Sequence, residues 1–510
     1  MTMTHPGLPE SWGLFVVIIM ALASLWLLLF KAVSGKQNIP HFQLIHFPVI
    51  GKLSHWLMGT PWVLLTFKLL MVVFFLTVIV SGLIGTPIPE RNFATLLTWN
   101  IWWAGLIFSV FLLGSAWCAI CPWDALAQWL VRRRLWRRAI PNNSLNLRVP
   151  RYLNNVWPAL IMFIGLTWLE LGLGITNNPY ATALVALLMV VLATVSLALF
   201  KRKAFCQHFC PVGRTIGFYS QLSVTELRPI NPQTCADCTT LECYHGNETI
   251  EPCPTSLVMG TLQQNSYCTS CGNCTQSCPH DNIAWRLRPP NSEATQGARP
   301  RWDEAWFMIG LLALTGFHGL TMMPFWEDWM SQLARVIGDS GQLIWSFSIG
   351  LMLSFAVIGV FYTAVIAVSR YLSTTHLDFK RNFSAFAFIS LPLAFSYHMA
   401  HNLNHLIREG SGVWAVIMNP LGNNTQPLSM MEKHQRHLDM WMSQDILFAI
   451  QSLLMVVGFI MAIQIIRHRA QTVFSAGTAN KLAILPLLVF VIIMTSFHLW
   501  MLMQPMIMRM

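Results

Sequence analysis

The sequence predicts a polytopic α-helical membrane protein of about ten spans, interrupted near its middle by a small cysteine-rich domain. Three observations predict it. Of 510 residues, 55% are hydrophobic and only 10% charged, against about 25% charged in ordinary globular domains. Ten apolar stretches, at about 12–30, 62–82, 98–117, 157–175, 180–200, 304–323, 343–368, 383–407, 445–467 and 482–503, are each long enough to cross a hydrocarbon core about 30 Å thick. All 12 cysteines fall between residues 118 and 278. The chain thus divides into a five-helix membrane domain (1–203), a cysteine-rich segment (204–300) and a second five-helix membrane domain (301–510).

The first stretch lacks a basic leader region and a small-residue cleavage site, so it reads as a retained helix. Basic residues orient the rest, because Lys and Arg accumulate in cytoplasmic loops. Arg132, Arg133, Arg134, Arg137 and Arg138 follow the third span, and Lys201, Arg202 and Lys203 follow the fifth. Placing these inside leaves six of the 32 basic residues outside (Arg91, Arg335, Arg408, Lys433, Arg436 and Arg509), with Lys68 within a span. Both termini are then periplasmic, and the cysteine-rich segment faces the cytoplasm of a bacterial inner membrane, where thiols stay reduced. The net charge of +11 belongs to this asymmetry and gives no reason to invoke nucleic acid. The stretch from Arg288 to Pro300, rich in Pro, Gly and polar residues, reads as a linker.

Cys268-Thr-Ser-Cys271-Gly-Asn-Cys274-Thr-Gln-Ser-Cys278-Pro279 has the C-x2-C-x2-C-x3-C-P spacing of bacterial ferredoxins, in which three thiolates hold one [4Fe–4S] cube and the fourth completes another. Structural zinc uses C-x2-C pairs with longer gaps between them. A partner run lies upstream, Cys235-x2-Cys238-x4-Cys243 and then Cys253-Pro254. Exchange of the fourth cysteine assigns Cys268, Cys271, Cys274 and Cys253 to one [4Fe–4S] cluster. The other takes Cys235, Cys238, Cys243 and Cys278. The insert is therefore ferredoxin-like.

Two further pairs sit at span ends. Span three ends in Cys118-Ala-Ile-Cys121-Pro122, and span five in Cys206-Gln-His-Phe-Cys210-Pro211. The two form a weak internal repeat, and both helices run inward. Four thiolates delivered to one face fit a third [4Fe–4S] cluster; redox-active dithiols or structural cysteines are the alternatives. Paired Cys-Pro motifs followed by a two-cluster segment resemble the NosR/NapH/CcoG family of membrane polyferredoxins, over about residues 60–290. The family carries C-x3-C-P twice, whereas the first motif here is C-x2-C-P. The resemblance implies electron transfer between the quinone pool, or a cytoplasmic donor, and a periplasmic redox enzyme, or reductive help in assembling a metal centre. NosR-like members place a periplasmic flavin domain before the membrane part. About ten residues precede the first span here, so a different electron exit is expected.

The second half carries histidines at one depth. His318 lies near the outer end of span six, His398, His401 and His405 near that of span eight, and His498 near that of span ten. Ionisable side chains within a membrane are costly and usually functional. Haem b needs two axial imidazoles, and a bare copper or iron ion needs three or more such ligands. Polar contact between helices is the plainer reading. Met430, Met431, Met440, Met442 and the methionine-rich tail from Met501 suit Cu(I) or serve as packing. Lys68 and Glu170 could meet a quinone headgroup, and the long loop at 408–444 could dock a partner or pack over the bundle.

The expected function is membrane-bound electron transfer, linking quinol or a cytoplasmic-side donor to a periplasmic redox partner through [4Fe–4S] clusters and a histidine-ligated haem or metal. The alternatives are an assembly reductase for copper or another metal centre, and an electron-transfer anchor subunit within a larger complex.

Overall fold

The computed structural model describes residues 4–30, 40–135, 138, 142–373, 378–474 and 479–507. Arg137, Arg509 and the last three residues of the methionine tail lie outside them. Among the described residues, eight helices are long and apolar enough to cross a membrane: Glu10–Leu29, Pro61–Ile84, Phe93–Leu113, Pro179–Leu199, Ile344–Leu372, Phe379–Met418, Gln444–Val473 and Leu482–Met503. The two other expected spans are helical but differ in kind. Trp157–Gly172 is shorter, and its last turn, Trp168–Gly172, is π-helical. Trp302–Leu320 carries Asp303 and Glu304 in its first turn and is buried along nearly its whole length. It is an internal helix of the second half, screened by its neighbours.

That half is organised around Ser390–Glu409, in which every residue but Leu406 is buried. It packs against Gln444–Val473 closely enough that a Cβ on Gly458 would collide with Ser396. The two chain ends meet here as a short antiparallel pair, Thr4 opposite Ile507 and His5 opposite Met506. The 408–444 loop covers the bundle: Phe93 N–H donates to Pro420 O at 3.2 Å and Thr86 N–H to Leu421 O at 2.8 Å, and Arg91 pairs with Glu432 at 3.3 Å.

The cysteine-rich insert is built on the antiparallel strands Thr225–Pro229 and Ile283–Leu287. Phe42–Gln43 adds a third strand beside the second, so the segment after the first span belongs to the insert's sheet. Five buried or half-buried charges tie the two strands to each other and to the segment that follows them. Glu226 pairs with Arg286 at 2.7 Å, Arg288 at 2.9 Å and Arg228 at 3.1 Å, and Glu293 lies 3.6 Å from Arg228. Glu293 belongs to the segment expected to be a linker. The structure corrects that reading. Glu293–Gly297 is a packed π turn, Asn291 donates to Met461 O at 2.8 Å, and Arg469 donates to Ala294 O at 2.8 Å. Its polar composition serves buried hydrogen bonds rather than solvent.

Burial works to raise the Glu226 pKa, but Arg228, Arg288 and Arg286 outweigh it and hold the carboxyl below its ordinary value. The stabilisation is therefore complete above an unfolded carboxylate pKa of about 4.3 and is lost as pH falls through the lower folded value. Breaking a buried ion pair on one side costs about 3–5 kcal/mol. Glu226→Gln should accordingly make the insert lose its near-ultraviolet circular dichroism at lower temperature and flatten the wild-type loss of stability below about pH 4.3. An unchanged melt would remove this network from the account of how the insert is held together.

Candidate metal centres

The cysteine groups begin with how helices stop and restart. Phe93–Leu113 ends at Gly114, whose φ of +57° a β-carbon would strain. Cys118 then lies in the 3-10 turn Ala116–Ala119, and Pro122 opens the next helix immediately after Cys121. The second motif repeats the device. Cys206 sits in the π segment Phe205–Phe209, and Pro211 opens a helix after Cys210. Proline suits the first helical position because its missing N–H would have no partner there. Each Cys-Pro step thus aims a sulfur off a helix N-terminus; Cys210 Sγ accepts from Gly213 N–H at 3.2 Å.

All twelve cysteines are free, and the structure brings them together in three groups of four. Cys253, Cys268, Cys271 and Cys274 lie within electrostatic reach of one another. So do Cys235, Cys238, Cys243 and Cys278. Cys118 feels Cys121, Cys206 and Cys210. The groups also touch in sequence. Cys274 of the first is within reach of Cys243 of the second. The loop before Cys118 meets the first group through Ser115 Oγ and Ser270 Oγ, 3.1 Å apart. Lys203 stands between two groups, reached by Cys206 and by Cys271, and bonds Asp124 at 2.6 Å. Burial opposes its charge, but Asp124 and Cys206 outweigh burial and hold it above the ordinary lysine range.

The donor set fits iron–sulfur chemistry. Burial pushes Cys121, Cys206 and Cys210 up to about 12, and Cys268 up to about 11. Thiols raised so far keep their protons at neutral pH unless positive charge stands against the sulfurs, as a bound iron centre supplies. N–H groups already point at several sulfurs: Leu257 N to Cys253 at 3.3 Å, Ser270 N to Cys268 at 3.4 Å, Asn282 N to Cys278 at 3.4 Å and Asn282 Nδ2 to Cys235 at 3.4 Å. Such bonds tune cluster potentials.

An apolar cavity opens beside the Cys118 group, lined by Trp99, Trp102, Trp117, Trp123, Cys121 and Glu170. Trp99 and Trp102 lie on the π segment Leu96–Trp102, and Glu170 on Trp168–Gly172. π-helical turns widen a helix and are frequent at functional sites. Lys68 lies elsewhere, in a polar cavity with Arg132, Lys203 and Cys271.

The five expected histidines do not converge on one point. His318 and His401 meet edge to face with ring centroids 5.0 Å apart, and His401 and His405 at 4.9 Å. His318 Nδ1 is 3.8 Å from Glu170. His498 stacks on Tyr397 at 4.4 Å, one ring removed from His401. His398 faces the first half, 3.4 Å from the Tyr219 hydroxyl and beside Trp103. Sequence reasoning missed two residues of this region. Glu409 Oε1 is 2.8 Å from His405 Nδ1 and 3.6 Å from His5 Nε2. An i, i+4 His–Glu pair on an expected helix was a signal for Glu409; nothing in the sequence joins His5 to a residue 400 positions away.

Comparison with known proteins agrees with the cysteine geometry. A family profile described as "4Fe-4S binding domain" matches residues 95–140 and 182–227, the two segments that hold Cys118, Cys121, Cys206 and Cys210. YccM of Escherichia coli (strain K12), named as a candidate electron transport protein, is 28% identical over 136 residues, 26% of this chain and 36% of that protein. An uncharacterized protein of Methanocaldococcus jannaschii is 26% identical over 113 residues, 22% of this chain and 42% of that one. The chain thus spans less than half the length of these curated relatives. No solved structure matches. Residues 95–140 and 182–227 each match a 4Fe–4S binding domain, and each contains one Cys-Pro step.

Proposed function

We propose that this is a membrane-bound iron–sulfur electron-transfer protein that links quinol, or a donor at the cytoplasmic face, to a periplasmic redox partner. The observation that carries this reading is the run of three four-cysteine groups, each in reach of the next. Cys235, Cys238, Cys243 and Cys278 would hold one [4Fe–4S] cluster, Cys253, Cys268, Cys271 and Cys274 a second, and Cys118, Cys121, Cys206 and Cys210 a third. When bound, such clusters supply one-electron transfer at a potential set by charge and hydrogen bonding; the chain supplies position and surroundings.

The last group lies deepest, against the tryptophan-lined cavity. A flat apolar quinol ring would sit against the tryptophans, with the Glu170 carboxylate lining the same cavity to take a hydroxyl proton. This makes the cavity the candidate quinol site. Phe93–Leu113 links the two ends of the bundle, since Asn100 near its start bonds Glu409 at 2.8 Å and its end leads to Cys118. At 1.5 Å rise per residue, Asn100 and Leu113 lie about 20 Å apart. A centre among the histidines would therefore serve the far side of the membrane. The close contact of the His318, His401 and His405 rings favours a bare metal ion over haem, because a porphyrin would have to part them.

Anaerobically purified protein should contain about twelve irons per chain, from three four-iron clusters. Cys121→Ser should remove about four of them and leave the ferredoxin-type electron paramagnetic resonance signals in place. Retention of all the iron would sink the third cluster. Lys203→Met removes a positive charge that favours the reduced state of two neighbouring clusters. Redox titration should show both potentials falling by tens of millivolts, on the order expected for a screened charge nearby. A pyridine haemochrome assay should be blank; a b-type spectrum would restore haem to the histidine level.

A further inference from the structure

We propose that His5, His405 and Glu409 form a binding site for one divalent first-row metal ion of the zinc or ferrous class. The inference deepens the bare-metal reading of the histidine level, but it depends on none of the cysteine assignments.

The three residues each offer a ligand atom, and these atoms lie within 4.8 Å of one another. All three side chains are buried, His5 and Glu409 completely and His405 to 7% exposure. The Nε2 atom of His405 has no hydrogen-bond partner. The other ring nitrogen, Nδ1, is the one that faces Glu409, 2.8 Å from Oε1, and a metal held there would take the place of that hydrogen bond. Glu409 is not spent on its cationic neighbour. Arg408 bonds Asn404 at 2.8 Å and Met440 Sδ at 3.2 Å instead.

The carboxylate is also held from behind. Asn100 Nδ2 donates to Glu409 Oε2 at 2.8 Å, from a π-helical turn that aims it there. Outer hydrogen bonds of this kind orient metal ligands. Two imidazoles and one carboxylate suit Zn²⁺ or Fe²⁺, whereas Cu(I) seeks thiolate or thioether. His5 reaches the site through the strand pairing of the chain ends and through Leu8 N–H, which donates to Leu502 O at 2.8 Å. A bound ion would therefore fasten the N-terminal strand to the central helix Ser390–Glu409.

The test uses full-length protein in detergent, stripped with a chelator and titrated anaerobically with Co²⁺. The expected result is one equivalent with visible ligand-field bands and no thiolate charge-transfer band in the near ultraviolet. His5→Gln and Glu409→Gln should each abolish that equivalent, and Asn100→Ala should weaken it about 10–100-fold. His498→Gln, which alters a buried histidine outside the trio, should leave it intact. Iron and sulfide content report separately on the cysteine groups, and cobalt taken up by emptied cysteine groups is told apart by its thiolate charge-transfer band in the near ultraviolet, so the bands without it report the histidine site alone. The proposal is overturned if wild-type protein shows no such bands, an outcome that needs no variant to fold. It is equally overturned if the equivalent survives in both His5→Gln and Glu409→Gln.

Discussion

Keeping buried sulfur in a chemically usable state is the constraint on which the rest of the structure depends. A thiol in an apolar interior holds its proton, as the raised values of Cys121, Cys206, Cys210 and Cys268 express. Gathering thiols in fours adds to that tendency, since each neighbouring sulfur raises the others; N–H donors facing the groups and Lys203 between two of them act against it. The helix breaks at Gly114 and before Cys210 follow from the same need, because a continuous helix would bury its N–H groups in its own ladder. The two Cys-Pro steps free those N–H groups and turn them toward sulfur.

The insert and the membrane half consequently cannot be independent units. The loop of Cys268–Cys271 rests on Ser115, and Arg202 Nη1 donates to Cys253 O at 2.9 Å. Glu226 and Glu293 knit the insert's sheet to the segment leading into the second half. Strand Phe42–Gln43 adds residues from before the second span. The electron transfer proposed for the chain would gain from such rigidity, since tunnelling depends steeply on distance and a loosely tethered domain would not hold it. The second half contributes a packed frame around Ser390–Glu409, whose polar residues are buried by other helices rather than by water.

Much of this was legible in the sequence, and for identifiable reasons. Cysteine spacing of two and three residues is set by local chain geometry, so Cys268, Cys271 and Cys274 could be read directly. The exchange of Cys253 and Cys278 followed from the same arithmetic. Hydropathy marked the helices because a membrane span must be apolar over its length. The segment 288–300 misled because composition reports polarity and not what the polar groups bond.

By itself the sequence determined the membrane class, the positions of the helices and the presence of iron–sulfur ligand motifs, because each of these is fixed by residues close together along the chain. Only the tertiary structure decided that His318 comes to His401, that His398 turns toward Tyr219, and that His5 comes to meet His405 and Glu409. It also decided that a tryptophan cavity stands beside Cys121. These are long-range pairings, made by packing and by the meeting of the two chain ends, and no local periodicity encodes them.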